Sequence, residues 1–265
     1  MNYIEHKWNS FSRYVLWHYL SKKLNLIHIT EYPKSGGTWL TQLISSTTGL
    51  PTRRNELPKY ERSVMHGHYL FSDKFNKSVC VVRDGRDVVV SYYHHLIIGN
   101  DNMFKSDLKK KRLMNRRELL GFEDINDVKS NLPKFIEYLH SDYAKKLNGF
   151  TWGEFIDSYL NKDNVLVVKY EDMLLNTAVE VERVLDFIDI KVENKKIQSI
   201  VDKYSFKNQT SRVPGQEDKK SFLRKGISGD WKNYFNKESA HLFDKYYGDV
   251  LIALEYEKDK NWVNQ

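Results

Sequence analysis

Cysteine is almost missing from this chain: 265 residues contain one, Cys80. An internal disulfide is therefore excluded, and so is a zinc site built on cysteines. Cys80 sits in the apolar run "SVCVV", which makes it a buried strand residue. Long apolar runs are also lacking. No stretch reaches the ~18–20 residues of a membrane span. The first twenty residues are broken by Glu5, His6, Lys7, Arg13 and His18, so no secretory leader is visible either. No internal repeat or low-complexity tract is present. The expectation is a soluble protein, cytoplasmic, with no integral membrane segment.

What is present suffices for a sizeable core. Hydrophobic residues make up 40% of the chain and aromatics 14%, which excludes disorder throughout. The length fits one domain over 1–265, interrupted by a polar insertion at 97–130 and a charged, mobile connection at 207–226. The net charge of +7 fits an anionic ligand without choosing among nucleotides, acidic substrates, nucleic acid and a membrane surface.

The chain opens on an amphipathic pattern. Trp8, Phe11, Val15 and Tyr19 recur at helical spacing, and packing against the core is the preferred reading of that stripe over membrane docking beside Lys22 and Lys23. "LIHITEY" reads as a strand ended by Pro33. Gly36 and Gly37 allow a tight turn, Thr38 is placed to cap the next helix, and Leu40, Leu43, Ile44 and Thr47 carry its periodicity. "SVCVV" is a second strand, running through "RDGRD" into another helix. "VLVVKY" is a third. Thr177 and Glu180 match a capping box in the helix after it, and Val181, Val184, Leu185 and Ile188 mark that helix's buried face. Apolar strands alternating with helices predict an α/β fold with a parallel sheet flanked by helices. In such sheets ligands bind at the carboxyl ends of the strands, where Lys34, Arg83 and Tyr170 fall.

The chemistry of these positions points to phosphate. The turn Lys34–Thr38 opens a helix, and helix N-termini offer unpaired N–H groups and a positive dipole end. An indole at Trp39 either stacks on a base or fills the core. Arg83 either grips a phosphate or forms a surface salt bridge, and Ser91 lies two helical turns further on. Arg86 and Asp87 read as a local surface ion pair of small energetic weight. His66 and His68, two apart in an extended segment, point to one side. They suit a metal pair poorly for want of a third ligand nearby, and a general base better. Arg224, Lys225 and Gly226 offer two cations and a backbone N–H that can close over a phosphate, although a solvated basic turn has the same composition.

Taken together, "YPKSGGTW", "VVRDGRDVVVSYYHH", "VVKYEDM" and "RKGISGDWKNYF" resemble the cytosolic-type sulfotransferases, in the family's order, over roughly residues 24–236. The resemblance implies a P-loop-kinase-like α/β sheet and a sulfuryl donor, 3′-phosphoadenosine 5′-phosphosulfate (PAPS), released as 3′-phosphoadenosine 5′-phosphate (PAP), with no metal. By position, Lys34, Ser35, Gly36, Gly37 and Thr38 hold the 5′-phosphosulfate. Trp39 stacks on adenine, joined by Tyr170, Tyr204 and Phe206. Arg83 and Ser91, with Arg224, Lys225 and Gly226, hold the 3′-phosphate, and Phe222 and Leu223 line the nucleotide. His68 is the general base for an acceptor hydroxyl or amine, and Lys34 neutralises charge on the leaving oxygen.

Three departures stand out. His66 replaces a family Lys that helps stabilise the transferring group, a role that His66 can fill when protonated. Gly37 replaces a Thr. "RDGRD" replaces the usual Arg-Asn-Pro-Lys-Asp but keeps its Arg. The family's dimerisation signature is not evident after Phe235, so no dimer is implied. The acceptor is expected to be a small molecule or glycan bearing a hydroxyl. Its candidate liners are Tyr92, Tyr93, His94, His95, Phe135, Tyr138 and Trp152. Two other readings compete. A nucleotide kinase shares the strand–loop–helix logic but lacks the Walker order of residues. A non-catalytic RNA- or polyanion-binding module would draw on Lys109–Arg112, Arg116 and Arg117, but no nucleic-acid partner is expected.

Overall fold

Four short strands, each with its apolar residues turned to a packed face, organise the first part of the chain. In a computed structural model that describes residues 3–52, 60–99, 107–141 and 149–264, the chain divides into two units. One is Met1–Val82 with Ser158–Ser205. The other is Arg83–Asp157 with Phe206–Gln265.

The first unit holds the sheet. Its strands are β1 (Ile27–Glu31), β2 (Val64–Gly67), β3 (Lys77–Val82) and β4 (Val165–Lys169), in the order β2-β1-β3-β4 and all parallel. The three strands expected from sequence are present, and β2, read there only as an extended segment, is a fourth. Alternation along β1 sends Ile27 and Ile29 to one face. There they join Val64, Val79, Val81 and Val168 against Leu40, Leu43 and Ile44 of α2 (Gly37–Thr48), Val181, Val184 and Leu185 of the helix Thr177–Phe187, and Ile197 of the helix Asn194–Lys203. Each such aliphatic side chain contributes ~1.5–3 kcal/mol on burial. The opposite face carries Leu26 and Met65 against Leu16. Cys80 is buried there as expected, beside Thr30 in register, and burial pushes its thiol pKa up.

Local chemistry differs from the sequence reading in several places. The helix α1 (Tyr3–Val15) continues as a π-helical turn over Leu16–Leu20. Its buried side is Asn9, Ser12 and Leu16, whereas Trp8, Phe11 and Tyr19 are more than half exposed. The aromatic stripe therefore does not pack on the core; the buried side of the helix, Asn9, Ser12 and Leu16, lies one residue on from Trp8, Phe11 and Val15. Helix α2 is not capped by Thr38. It begins at Gly37 behind a left-handed Gly36, with Thr38 already in the first turn. The helix Thr177–Phe187 is capped by Asn176, whose side chain accepts from the Val179 N–H; Thr177 is one residue too late to do so.

The second unit is helical. It contains α3 (Gly85–Tyr93), running into a π-helical turn at His94–Ile98, α4 (Asp107–Leu120), α5 (Val128–His140) and α6 (Lys237–Ala253). Residues 100–106 of the polar insertion lie outside the described residues. The basic run of the insertion lies on α4. Lys109–Arg112 are exposed, but Arg116 turns inward, donating to the carbonyl of Leu96 (3.0 Å) and the hydroxyl of Tyr138 (3.2 Å). Arg117 donates to the carbonyls of Ile97 and Ile98. Two of the cations thus satisfy the carbonyl end of the π-turn. The connection 207–226 is fastened from within: Arg212 donates to the carbonyls of Gln216, Leu223 and Arg224.

Candidate active site

In the first unit β1 delivers the chain into the loop Lys34–Gly36 at its carboxyl end. Lys34 and Gly36 both have positive φ, 79° and 102°. Left-handed residues between strand and helix turn backbone N–H groups toward one point, the geometry of an anion-binding concavity. Gly36 is required twice over: besides its φ, a Cβ there would lie 2.6 Å from Cδ2 of Tyr170. Ser35 Oγ is buried, with no hydrogen-bond partner among the described residues. A phosphate or sulfate oxygen is a fitting partner for a buried hydroxyl in such a loop.

The aromatic residues expected around the nucleotide partly converge. Trp39 donates its indole N–H to the carbonyl of Tyr204 (2.9 Å) and meets Tyr170 edge-on at 6.1 Å. The Tyr204 hydroxyl pairs with Ser46 Oγ at 2.9 Å. Trp39 is half-buried against the α2-side core, so the indole serves packing on one side and faces Tyr170 on another.

The two histidines of "MHGHY" meet at one residue that the sequence reading passed over, Glu31. The Glu31 carboxylate is almost wholly buried. Oε1 lies 3.0 Å from His66 Nε2, and Oε2 accepts from the Gly37 N–H at 2.7 Å. Its main-chain carbonyl lies 2.9 Å from His68 Nδ1. Burial pushes the Glu31 carboxyl up, but the hydrogen bond and charge of His66, the charge of His68 and the Gly37 N–H outweigh it and hold the group at about 2. An ionised carboxylate only accepts, so His66 donates from Nε2. A carbonyl only accepts, so His68 carries its proton on Nδ1, which makes Nε2 the basic nitrogen of the neutral ring. The signal in the sequence was an acid closing an apolar strand directly before the loop.

The second unit holds the remaining candidates. Arg83, largely buried, donates to the Ile227 carbonyl (3.1 Å) and lies 3.5 Å from the Asp87 carboxylate. Ser91 is half-buried on α3. Arg224 pairs with Glu217 and with Asp230 (2.5 Å), and Lys225 pairs with the other Asp230 oxygen (2.5 Å). Asp230 thus gathers both cations of the turn, which is more than a solvated basic stretch. Gly226 has φ 65°, and a Cβ there would lie 2.4 Å from the ring of Phe206. Phe222 is exposed and Leu223 half-buried.

The expected Arg86–Asp87 surface pair does not form. Arg86 is 2% exposed. It grips Asp84 and Glu257 (2.8 and 2.5 Å) and lies over the rings of Trp231 and Trp262. Asp87 is buried and accepts from the N–H groups of Gly229 (2.7 Å) and Trp231 (2.9 Å). Adjacent helical residues point in different directions, which is why neighbours in sequence take separate partners.

Of the acceptor-liner candidates, Tyr92, Tyr93, Phe135, Tyr138 and Trp152 are buried. Tyr93 packs edge-on against Phe135, and Trp152 lies against Phe243 and Tyr247. His94 is buried with both ring nitrogens unpartnered among the described residues, and burial, helped by the Arg224 charge, lowers its pKa to about 4. His95 lies parallel to Tyr92.

The family model described as "Sulfotransferase domain" matches residues 63–258. This chain belongs to the sulfotransferase family. Among its relatives, Sulfotransferase 2A6 of Mus musculus is 28% identical, over 89% of this chain and 87% of the relative. The 3-beta-hydroxysteroid sulfotransferase of Cavia porcellus is 26% identical, over 89% and 86%. The fold agrees with that of mouse sulfotransferase SULT7A1, solved in complex with PAP, at a TM-score of 0.61 and 20% identity over 90% of this chain and 86% of that one. Retinol dehydratase, solved with retinol and PAP, aligns at a TM-score of 0.57 and 19% identity over 86% and 81%. The parallel α/β sheet flanked by helices expected from the sequence is the sulfotransferase fold. Among the described residues no helix is long and apolar enough to cross a membrane.

Proposed function

We propose that this sulfotransferase takes its sulfuryl group from PAPS and gives it to the hydroxyl of a small molecule, with His68 as the general base. The observation that carries the reading is the pairing of a phosphate-type loop with a histidine of defined tautomer. The loop has a buried, unpartnered Ser35 Oγ, and His68 is bound through Nδ1 to the residue that ends β1. Two relatives of known fold are solved with PAP, which supports the choice of donor.

PAPS supplies an activated sulfuryl group and a nucleotide leaving group. Lys34, Ser35, Gly36, Gly37 and Thr38 are assigned to its phosphosulfate end, and Trp39, Tyr170 and Tyr204 to its base. Arg83, Ser91, Arg224, Lys225 and Gly226 are assigned to its 3′-phosphate, with Phe206, Phe222 and Leu223 beside the nucleotide. Lys34 supplies the positive charge for the oxygen that leaves. His68 Nε2 takes the acceptor proton, and the Glu31 carbonyl holds the ring in that tautomer.

An alcohol is the favoured acceptor because a relative is named for a hydroxysteroid. The deciding experiment incubates the protein with sulfur-labelled PAPS and a panel of steroid, phenolic and aliphatic alcohols, with no metal added. Label in an acceptor is expected. Phosphoryl transfer from ATP and Mg²⁺, with no transfer from PAPS, would overturn the reading.

A further inference from the structure

We infer that Glu31 is a positioning residue for transfer, one whose carboxylate holds the His66 ring and the first amide of α2 at the expense of donor affinity. The inference rests on the PAPS reading above. Glu31, His66 and Gly37 form one interlocked unit. The carboxylate spends one oxygen on each partner. A Cβ on Gly37 would lie 2.8 Å from Cδ and 2.9 Å from Cγ of Glu31, so the acid fits only where residue 37 has no side chain. The φ of Gly37 is not left-handed, which leaves space as the reason for glycine there.

The arrangement has a consequence for an anionic donor. A helix N-terminus stabilises negative charge, and here a built-in carboxylate already takes the Gly37 N–H. That carboxylate is ionised well below neutral pH. A fixed negative charge beside a phosphosulfate loop opposes the ligand by Coulomb repulsion. What the charge provides in return is orientation: a buried carboxylate fixes which His66 nitrogen points inward, as the acid of a His–acid pair does. Glu31 touches neither acceptor nor donor in this assignment; it acts through His66 and the loop.

The test compares the full-length protein with Glu31→Gln and Glu31→Asp. The readouts are PAP dissociation constant by calorimetry, and kcat and KM with PAPS and a turned-over alcohol. Glutamine keeps the size, removes the charge and offers one acceptor oxygen for two donors. Glu31→Gln is expected to bind PAP ~3–10-fold more tightly while kcat falls ~10-fold or more. Glu31→Asp keeps the charge but shortens the reach. It is expected to lose kcat with PAP affinity within twofold of wild type, and it decides the matter if the glutamine variant does not fold. Unchanged PAP affinity and kcat in Glu31→Gln would overturn the assignment. So would a parallel loss of both, which is the pattern of a loop prop. Unchanged kcat in Glu31→Asp would overturn it as well. A wild-type protein that binds no PAP would instead overturn the donor reading, and this assignment with it.

Discussion

Glu31 and Gly37 exclude each other's alternatives: the acid occupies the volume that any side chain at 37 would need, and the amide of 37 donates to the acid at 2.7 Å. Gly37→Ala should therefore destabilise the protein by ~1–3 kcal/mol through overpacking. The same substitution should cost at least ~1 kcal/mol less in a Glu31→Ala background, because neighbouring sites couple. Urea unfolding of the four proteins of this cycle measures the coupling, and strict additivity would refute the interlock.

His68→Ala should lower turnover by ~10²–10⁴-fold, the usual contribution of a placed general base. PAP binding should stay within a few-fold of wild type, since the loop and its carboxylate are untouched. Near-normal turnover in this variant would remove His68 from the role. Long-range ¹H–¹⁵N spectra of the wild type at alkaline pH should show the Nδ1–H tautomer for this ring, as the Glu31 carbonyl demands.

Glu31 also couples stability to acid. Its folded pKa of about 2 lies below its ordinary value of 4.5. The stabilisation is therefore fully present above pH ~4.5 and is lost as pH falls toward 2, up to about 3 kcal/mol in all. Chemical denaturation between pH 5 and 2 should show a shallower decline for Glu31→Gln than for wild type. Equal slopes would show that the carboxyl titrates normally.

Arg86 in the second unit is held by Asp84 and Glu257 and covered by two indoles. Arg86→Ala leaves two carboxylates without their cation and should cost ~3–5 kcal/mol. Arg86→Lys should recover only part of this, because an ammonium cannot reproduce the planar fork and stacking. Thermal or urea unfolding distinguishes the two variants, and a loss below ~1 kcal/mol in Arg86→Ala would place the guanidinium in solvent-like surroundings.

The parallel strands and the buried faces of α2 and the helix Thr177–Phe187 could be read from the chain, because alternation and helical periodicity are local. So could the loop, whose glycines and early Lys34 announce a turn before a helix. Exposure of Trp8 and Phe11 could not be read, because helical spacing shows a stripe but not which side of the helix meets the core, and the buried side is Asn9, Ser12 and Leu16. Nor could the partners of the charged residues. Asp87 accepts from amides some 140 positions away, and Arg86 reaches Glu257. Sequence by itself determined the family, the α/β pattern and which residue types stand at the loop. Tertiary structure alone decided that Glu31 joins His66, His68 and Gly37, since a buried carboxylate takes whatever donors the fold brings within 3 Å, wherever they lie along the chain. That contact also accounts for the glycine at 37, a departure for which the linear sequence offered no reason.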